Sequence, residues 1–463
     1  MRTLIAGLAL LSLAATPNPL PSEFNLPAID AYIEGQVREA GIVGLSVAIL
    51  QEGNLVFAKG YGQRSLEPRQ PVTTNTLFAI GSVTKQFACA CILLLAEDGK
   101  LSVDDKVAKY YPELTRANDI TLLDLMQHVS GYPDYYPLDF LDRRMQSSIE
   151  VDELIRQYAG GRLDFELGTR YSYSNTGFMI LGRVVEKITG NPFQQFLEER
   201  LLKPLALHHT VFDRAQSRDP VAQGYTAFAL SPPEPARPEA DGWIYSAGAI
   251  YSTALDLARW NLALIDGKVM KPASYQIMTT PRKLAGGKLT TYGCGLGVSL
   301  RNGFLVLSHN GAVNGFAARN VTIPATRSAV VMLCNFDSGG AFARMHNHLV
   351  SLLLKTRSNV PVVAGPPAAE VARGFFRRLQ QGKLDRNQLG EEFSLFLNDE
   401  KLRGAAQRLK AYGNPKAVEV DEQNERGGME VSTLRLVFSK ETLKGLMYRS
   451  PDGRIQEFFV EKP

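Results

Sequence analysis

In 463 residues, 51 Lys and Arg stand against 47 Asp and Glu, and 45% of the side chains are apolar. This is the composition of a globular protein, and a net charge of +4 is too small to argue for nucleic acid or a membrane surface as partner. The length exceeds one ordinary core, so two domains are the natural division.

Arg2, the apolar run Leu4 to Leu13 and the small residues Ser12-Leu13-Ala14-Ala15 read as a secretory leader over residues 1–15. The run is too short to span a bilayer, and nothing later reaches transmembrane length. A periplasmic or secreted mature protein is therefore expected. No Cys lies near the cut to take a lipid anchor.

Ile29 to Ala40 then reads as a helix closed by Gly41, and Leu45 to Leu50 with Leu55 to Tyr61 as a hairpin turned at Gln51-Glu52-Gly53-Asn54. Gly81-Ser82-Val83-Thr84-Lys85 leads into an apolar helical run, Gln86 to Glu97. Ser82 falls in its first turn and Lys85 one turn later on the same face, so hydroxyl and amine can meet. A serine becomes a nucleophile when a neighbouring base takes its proton, and a helix N-terminus offers N–H groups to a developing oxyanion. The same spacing also fits a capped helix start with a surface lysine.

From Leu101 to about Arg214 the pattern is largely helical, with punctuation such as Ser130-Gly131-Tyr132-Pro133. Inside it the polar knot Tyr171-Ser172-Tyr173-Ser174-Asn175 precedes the helix Gly177 to Thr189. A further helix runs from Thr253 to Ile265. Strands follow at Gly297 to Leu300, Phe304 to Ser308, Arg319 to Pro324 and Ser328 to Asn335, and the helix Phe342 to Leu354 closes the unit. Strands at both ends of a helical middle predict one α/β sheet with an inserted all-α lobe and a site in the cleft between them.

Residues 357–367 form a Pro-rich linker. Beyond it, helices at Glu370 to Gln381 and Asp399 to Tyr412 precede three alternating strands and a hairpin turned at Pro451-Asp452-Gly453, a small α+β domain over 368–463. Of the four cysteines, Cys89 and Cys91 read as buried thiols, while Cys294 and Cys334 lie in strand-like runs where an oxidising compartment would let them pair. No metal spacing is present, and no metal or cofactor is expected. His128, His208, His209, His346 and His348 read as structural or surface residues.

Three pieces stand in fixed order: Ser82-x-x-Lys85, Tyr173-Ser174-Asn175 and His309-Asn310-Gly311. With Leu125 to Pro133 (LMQHVSGYP), Gly248 to Arg259 (GAIYSTALDLAR) and Gly293 to Gly297 (GCGLG), they resemble the penicillin-recognising serine hydrolases. The likeness is to the branch of class C β-lactamases, D-Ala-D-Ala carboxypeptidases, D-aminopeptidases and related esterases, and it spans roughly residues 25–355 of a domain placed at 24–356. It implies an antiparallel sheet flanked by helices, with Ser82 as nucleophile and Lys85 and Tyr173 sharing the proton work. Asn175 would bond Lys85 and the substrate's amide oxygen, and the N–H groups of Ser82 and Ala312 would form the oxyanion hole. Asn310 and Gly311 would lie along the substrate.

In β-lactamases of this branch a lysine usually stands where this chain has His309, and histidine is mostly neutral near pH 7. The change resembles the peptidase and esterase members. The resemblance thus implies an exported serine hydrolase of small amides or esters, D-residue peptides or small esters. The alternatives are a class C-like β-lactamase or a penicillin-binding protein without turnover. The order of elements after the linker resembles the nuclear-transport-factor-like folds appended to some secreted hydrolases.

Overall fold

A computed structural model describes residues 20–21, 23–136, 143–228, 231–337, 340–354, 361 and 363–462. The leader expected at 1–15 lies outside them, as do residues 357–360 and 362 of the expected linker. The chain divides into two compact units, Met1–Leu354 and Lys355–Pro463.

In the first unit seven strands form one antiparallel sheet, in the order Arg69–Pro71, Asn54–Leu66, Gly44–Gln51, Ser328–Cys334, Phe316–Ile323, Phe304–Val313, Gly297–Arg301. Gly44–Gln51 sits centrally, and its alternation explains the layering. Leu45, Val47 and Ile49 join one core, under the helices Leu26–Glu39 and Gly340–Leu353. Ala48 and Leu50 join the other, larger core. That second core is built around the helix Thr84–Glu97, which is apolar on nearly every side and buried from Thr84 to Leu95. Phe87 stacks on Trp260 with ring centroids 4.1 Å apart, and the indole N–H of Trp260 donates to Gln86 Oε1 at 2.9 Å. Trp260 belongs to the helix Ala254–Ile265, whose N-cap Thr253 accepts from Asp256 N.

Two departures from the sequence reading shape the cleft. The strand expected at Phe304 to Ser308 continues to Val313, because Asn314-Gly315 turns it into a hairpin with Phe316–Ile323. His309, Asn310, Gly311 and Ala312 are therefore strand residues. The stretch from Leu101 to Arg214 holds shorter helices than its pattern suggests, among them Leu122–Met126, Val151–Ala159, Asn175–Thr189 and Phe193–Leu197, separated by irregular chain.

The sequence left open whether Cys294 and Cys334 pair, and the structure answers that they do not. Both thiols are free and buried, Cys294 in the core around the Thr84–Glu97 helix and Cys334 in the core across the sheet. Each donates to a nearby carbonyl instead, Cys294 to Ile277 O at 3.6 Å and Cys334 to Phe336 O at 3.3 Å. A sheet stands between them, and a disulfide reaches only ~6 Å between Cα atoms.

The second unit is a four-stranded antiparallel sheet, Ala417–Arg426, Met429–Val437, Thr442–Arg449 and Ile455–Glu461, preceded by the helices Ala368–Gln380, Glu391–Phe396 and Asp399–Leu409. Phe375, Phe376, Leu434, Leu436 and Met447 fill its core. Ala417–Arg426 is one strand more than the sequence pattern predicts. It is an exposed edge of mostly charged and amide side chains, and its apolar alternation stops after Val418 and Val420. Among the described residues no helix is long and apolar enough to cross a membrane, and no group of three or more His, Cys, Asp or Glu is placed to hold a metal.

Denatured without reductant, the chain should react with Ellman's reagent at all four thiols. Reaction at only two would show that a disulfide closes after all.

Candidate active site

A cleft of about 490 Å³ in the first unit collects the residues that the sequence singled out. Ser82, Tyr173, Asn175, His309, Asn310, Gly311 and Ala312 all line it. Ser82 occupies a single 3-10 turn, Gly81–Val83, that feeds directly into the helix Thr84–Glu97. Lys85 is fully buried one turn on, with its Nζ 3.1 Å from Ser82 Oγ.

The amine donates to two further acceptors, Asn175 Oδ1 at 2.7 Å and Ala247 O at 2.8 Å. Each is delivered by a specific device. Ala247 is held against the Ser82 helix because Ile80 N–H donates to Ile250 O at 3.0 Å, and Ile250 N–H donates to Thr84 Oγ1 at 3.2 Å. Asn175 opens the helix Asn175–Thr189, and Asp134 orients it: Asp134 Oδ1 accepts its backbone N–H at 2.9 Å and its side-chain Nδ2 at 3.1 Å. With Nδ2 bound to a carboxylate, Oδ1 is the atom left for Lys85. Burial lowers the amine's pKa from 10.5 to about 7, against the opposing pull of Asp134.

Tyr173 stands with its ring centroid 4.9 Å from Lys85 Nζ, and its hydroxyl is buried without a hydrogen-bond partner among the described residues. Burial raises its pKa well above the usual 10, while the nearby Ser82 hydroxyl draws it down without closing a hydrogen bond. The phenol therefore keeps its proton at any physiological pH.

His309 is not a cation that could meet a substrate carboxylate. Its Nδ1 lies 2.6 Å from the carbonyl of Asn310, an acceptor only, so that nitrogen carries the proton. Its Nε2 accepts the hydroxyl of Tyr292 at 2.7 Å. Burial first, then the charge of Lys85, lowers its pKa to about 3. The imidazole is neutral with both nitrogens occupied, and its hydrogen-bonding tyrosine is Tyr292.

The hairpin sets the direction of the Ala312 N–H. Val313 and Phe316 flank the two-residue turn as a hydrogen-bonded pair, so the next pair, Ala312 and Ala317, is a non-bonded one. The N–H of Ala312 thus points out of the sheet edge, towards the turn that bears Ser82. Contact there is tight. A Cβ on Gly81, whose φ is +50°, would lie 2.7 Å from Ala312 N, and one on Gly311 would lie 1.9 Å from Ile80 O. Only glycine allows the strand and the turn that bears Ser82 to meet so closely.

Three positions of the candidate site escaped the sequence reading: Asp134, Tyr292 and the carbonyl of Ala247. The stretch Ser130 to Pro133 marked a turn, and an aspartate directly after it, ahead of the Tyr171–Asn175 knot, was the available signal. His128 lies buried among the rings of Tyr171, Tyr173, Phe178 and Tyr292, with Nδ1 accepting Ser174 N–H at 3.1 Å. It shapes the cleft wall, a structural part.

The putative penicillin-binding protein PbpX of Bacillus subtilis (strain 168) is 27% identical over 335 residues, covering 72% of this chain and 81% of that protein. A D-aminopeptidase of Gluconobacter oxydans (strain 621H) is 27% identical over 303 residues, 65% of this chain, and the match spans only 57% of that enzyme. The structure of an octameric penicillin-binding protein homologue from Pyrococcus abyssi superposes with a TM-score of 0.63 at 22% identity, over 95% of this chain and 96% of that one, a likeness of fold. The family model described as Beta-lactamase matches residues 29–355. With that match over most of its length, the chain belongs to the Beta-lactamase family.

Proposed function

We propose that this chain is an exported serine hydrolase that cleaves small amides or esters, D-residue peptides or small esters among them, through an acyl group carried on Ser82. The coordination of Lys85 carries the reading. Asn175 Oδ1 and Ala247 O accept only, so they hold two N–H bonds of the amine. In the neutral amine the remaining lone pair then faces Ser82 Oγ. Deprotonating a lysine in water at pH 7 costs about 5 kcal/mol, whereas a pKa of about 7 removes nearly all of that cost.

Lys85 takes the Ser82 proton as Oγ attacks the carbonyl carbon. The carbonyl oxygen becomes an oxyanion between the N–H groups of Ser82 and Ala312, an interaction of ~3 kcal/mol per donor in related chemistry. Tyr173, held protonated, gives its proton to the leaving nitrogen or oxygen as the tetrahedral intermediate collapses. The phenolate then recovers a proton from the Lys85 ammonium. Water repeats the sequence against the acyl-enzyme, with Lys85 again taking a proton and Ser82 Oγ leaving. His309 and Tyr292 brace the cleft wall in this scheme. Cleft lining runs from Ser82 to Val313, so the chemistry is assigned to the domain at 24–356 and none to 368–463. Export rests on the leader sequence alone, and a D-aminopeptidase among the relatives supports D-residue amides as substrates.

Ser82→Ala and Lys85→Met should each lower kcat/KM for an activated ester by a factor of ~10⁴, because nucleophile and base act as one unit. A fluorophosphonate probe should label Ser82 in the unaltered protein. Since the neutral amine is the active form, kcat/KM should climb about tenfold per pH unit below the Lys85 pKa of about 7 and level off above it. A flat profile from pH 5 to 9, or labelling elsewhere, contradicts the scheme.

With His309 titrating only near pH 3, KM for a carboxylate-bearing ester and for its methyl ester should change in parallel between pH 8 and 5. Tighter binding of the carboxylate alone in acid would show that His309 becomes a cation after all.

A further inference from the structure

His128 stands where a helix end would more readily take glycine. The helix Leu122–Met126 closes in a Schellman turn: the N–H of His128 donates to Leu125 O at 3.2 Å, and that of Val129 to Asp124 O at 3.0 Å. His128 lies just past the cap, in the left-handed region with φ +57°. Glycine favours that place and asparagine tolerates it, because a larger side chain there crowds its own backbone. Such strain is kept where the side chain has a task.

That task is visible in what His128 holds. Its carbonyl accepts the N–H of Ser172 at 3.0 Å, and its Nδ1 accepts the N–H of Ser174 at 3.1 Å. These two serines are the chain neighbours of Tyr173. Between the two bonds the imidazole lies against the phenol ring, with centroids 4.3 Å apart and planes 35° from parallel. At its polar end Tyr173 is not held, since its buried hydroxyl has no hydrogen-bond partner among the described residues. An Nδ1 that accepts leaves the proton on Nε2, so the imidazole is neutral. Burial first, then the charge of Lys85, favours that form.

We propose that His128 is a positioning residue for Tyr173, fixing its two flanking peptides and one face of its ring so that the hydroxyl waits in the cleft for a leaving group. This rests on the reading of Tyr173 as the acid. Holding a phenol by backbone and ring leaves its proton uncommitted, which a hydrogen bond at the hydroxyl would not. The stretch Leu125 to Pro133 thereby has a use beyond its turn: its helix end aims one histidine at the Tyr171–Asn175 knot.

The test compares ethyl acetate with p-nitrophenyl acetate, which share an acyl group and differ in how far the departing oxygen needs a proton. In the full-length protein, Tyr173→Phe should lower kcat/KM for the ethyl ester ~100-fold more than for the nitrophenyl ester. His128→Phe keeps a ring and loses the acceptor. It should lower the same ratio at least ~10-fold, and added to Tyr173→Phe it should lower the ratio no further. His128→Asn, which suits the left-handed backbone and offers Oδ1 where Nδ1 stood, should restore the ratio. A histidine that only filled the wall would slow both esters alike. Circular dichroism establishes that each variant is folded. If His128→Phe is not, the unaltered protein decides: ¹⁵N spectra should show His128 with its proton on Nε2, and a proton on Nδ1 overturns the proposal. A ratio lowered by Tyr173→Phe but unmoved by His128→Phe also overturns it, and leaves Tyr173 as the acid. A ratio unmoved by Tyr173→Phe, or no cleavage of ethyl acetate by the unaltered protein, overturns the acid role itself.

Discussion

A lysine amine withdrawn from water has two ways to lower its energy, to shed its proton or to find acceptors for it. Lys85 is placed between the two. It has three oxygen partners, which would suit an ammonium, yet the surroundings are apolar enough to bring its pKa to about 7. Much of the first unit is arranged to hold that balance. The buried helix places Lys85 beneath Ser82, the Ile80–Ile250 and Thr84–Ile250 bonds deliver the carbonyl of Ala247, and Asp134 fixes which end of the Asn175 amide faces the amine. If any one of these shifted, the lone pair would no longer be directed at the serine.

The second constraint is the meeting of a strand edge with the turn that carries Ser82. The hairpin turned at Asn314-Gly315 sets the parity of the ladder, and parity decides that Ala312 directs its N–H outward. Gly81 and Gly311 then let two backbones approach where any side chain would collide with a peptide group. On the proposed mechanism, both donors to the oxyanion come from backbone that is rigid before substrate arrives, so no reorganisation is required as charge develops.

Much of this was legible in the sequence, for physical reasons. Ser82 lies in the turn that runs straight into the helix of Lys85, and a separation of three residues puts them on one face whatever the rest of the chain does. Apolar alternation located the central strands, and the helices on both sides of the sheet declared themselves by their period. Legibility failed where contacts are long-range. Asp134 is 41 residues from Asn175 in sequence, and nothing local says that its carboxylate will accept that residue's N–H groups. The Ala247 carbonyl is a backbone atom, carried by every residue alike. The strand through His309–Val313 was cut short because Asn310 and Gly311 are poor strand formers, although the Asn-Gly turn beyond them signalled the hairpin. Whether Cys294 and Cys334 pair stayed open because a linear sequence does not show which face of a sheet a strand residue takes.

The central claim is that the Lys85 amine is largely neutral near neutral pH, held beside Ser82 with its lone pair available. Nuclear magnetic resonance of protein labelled with ¹³C at lysine Cε measures this directly, with Lys85→Met used to assign the signal. One lysine resonance should titrate with a midpoint of about 7 and should vanish in the variant. If no lysine titrates near 7, Lys85 is an ordinary ammonium at neutral pH, and the account of Ser82 activation fails.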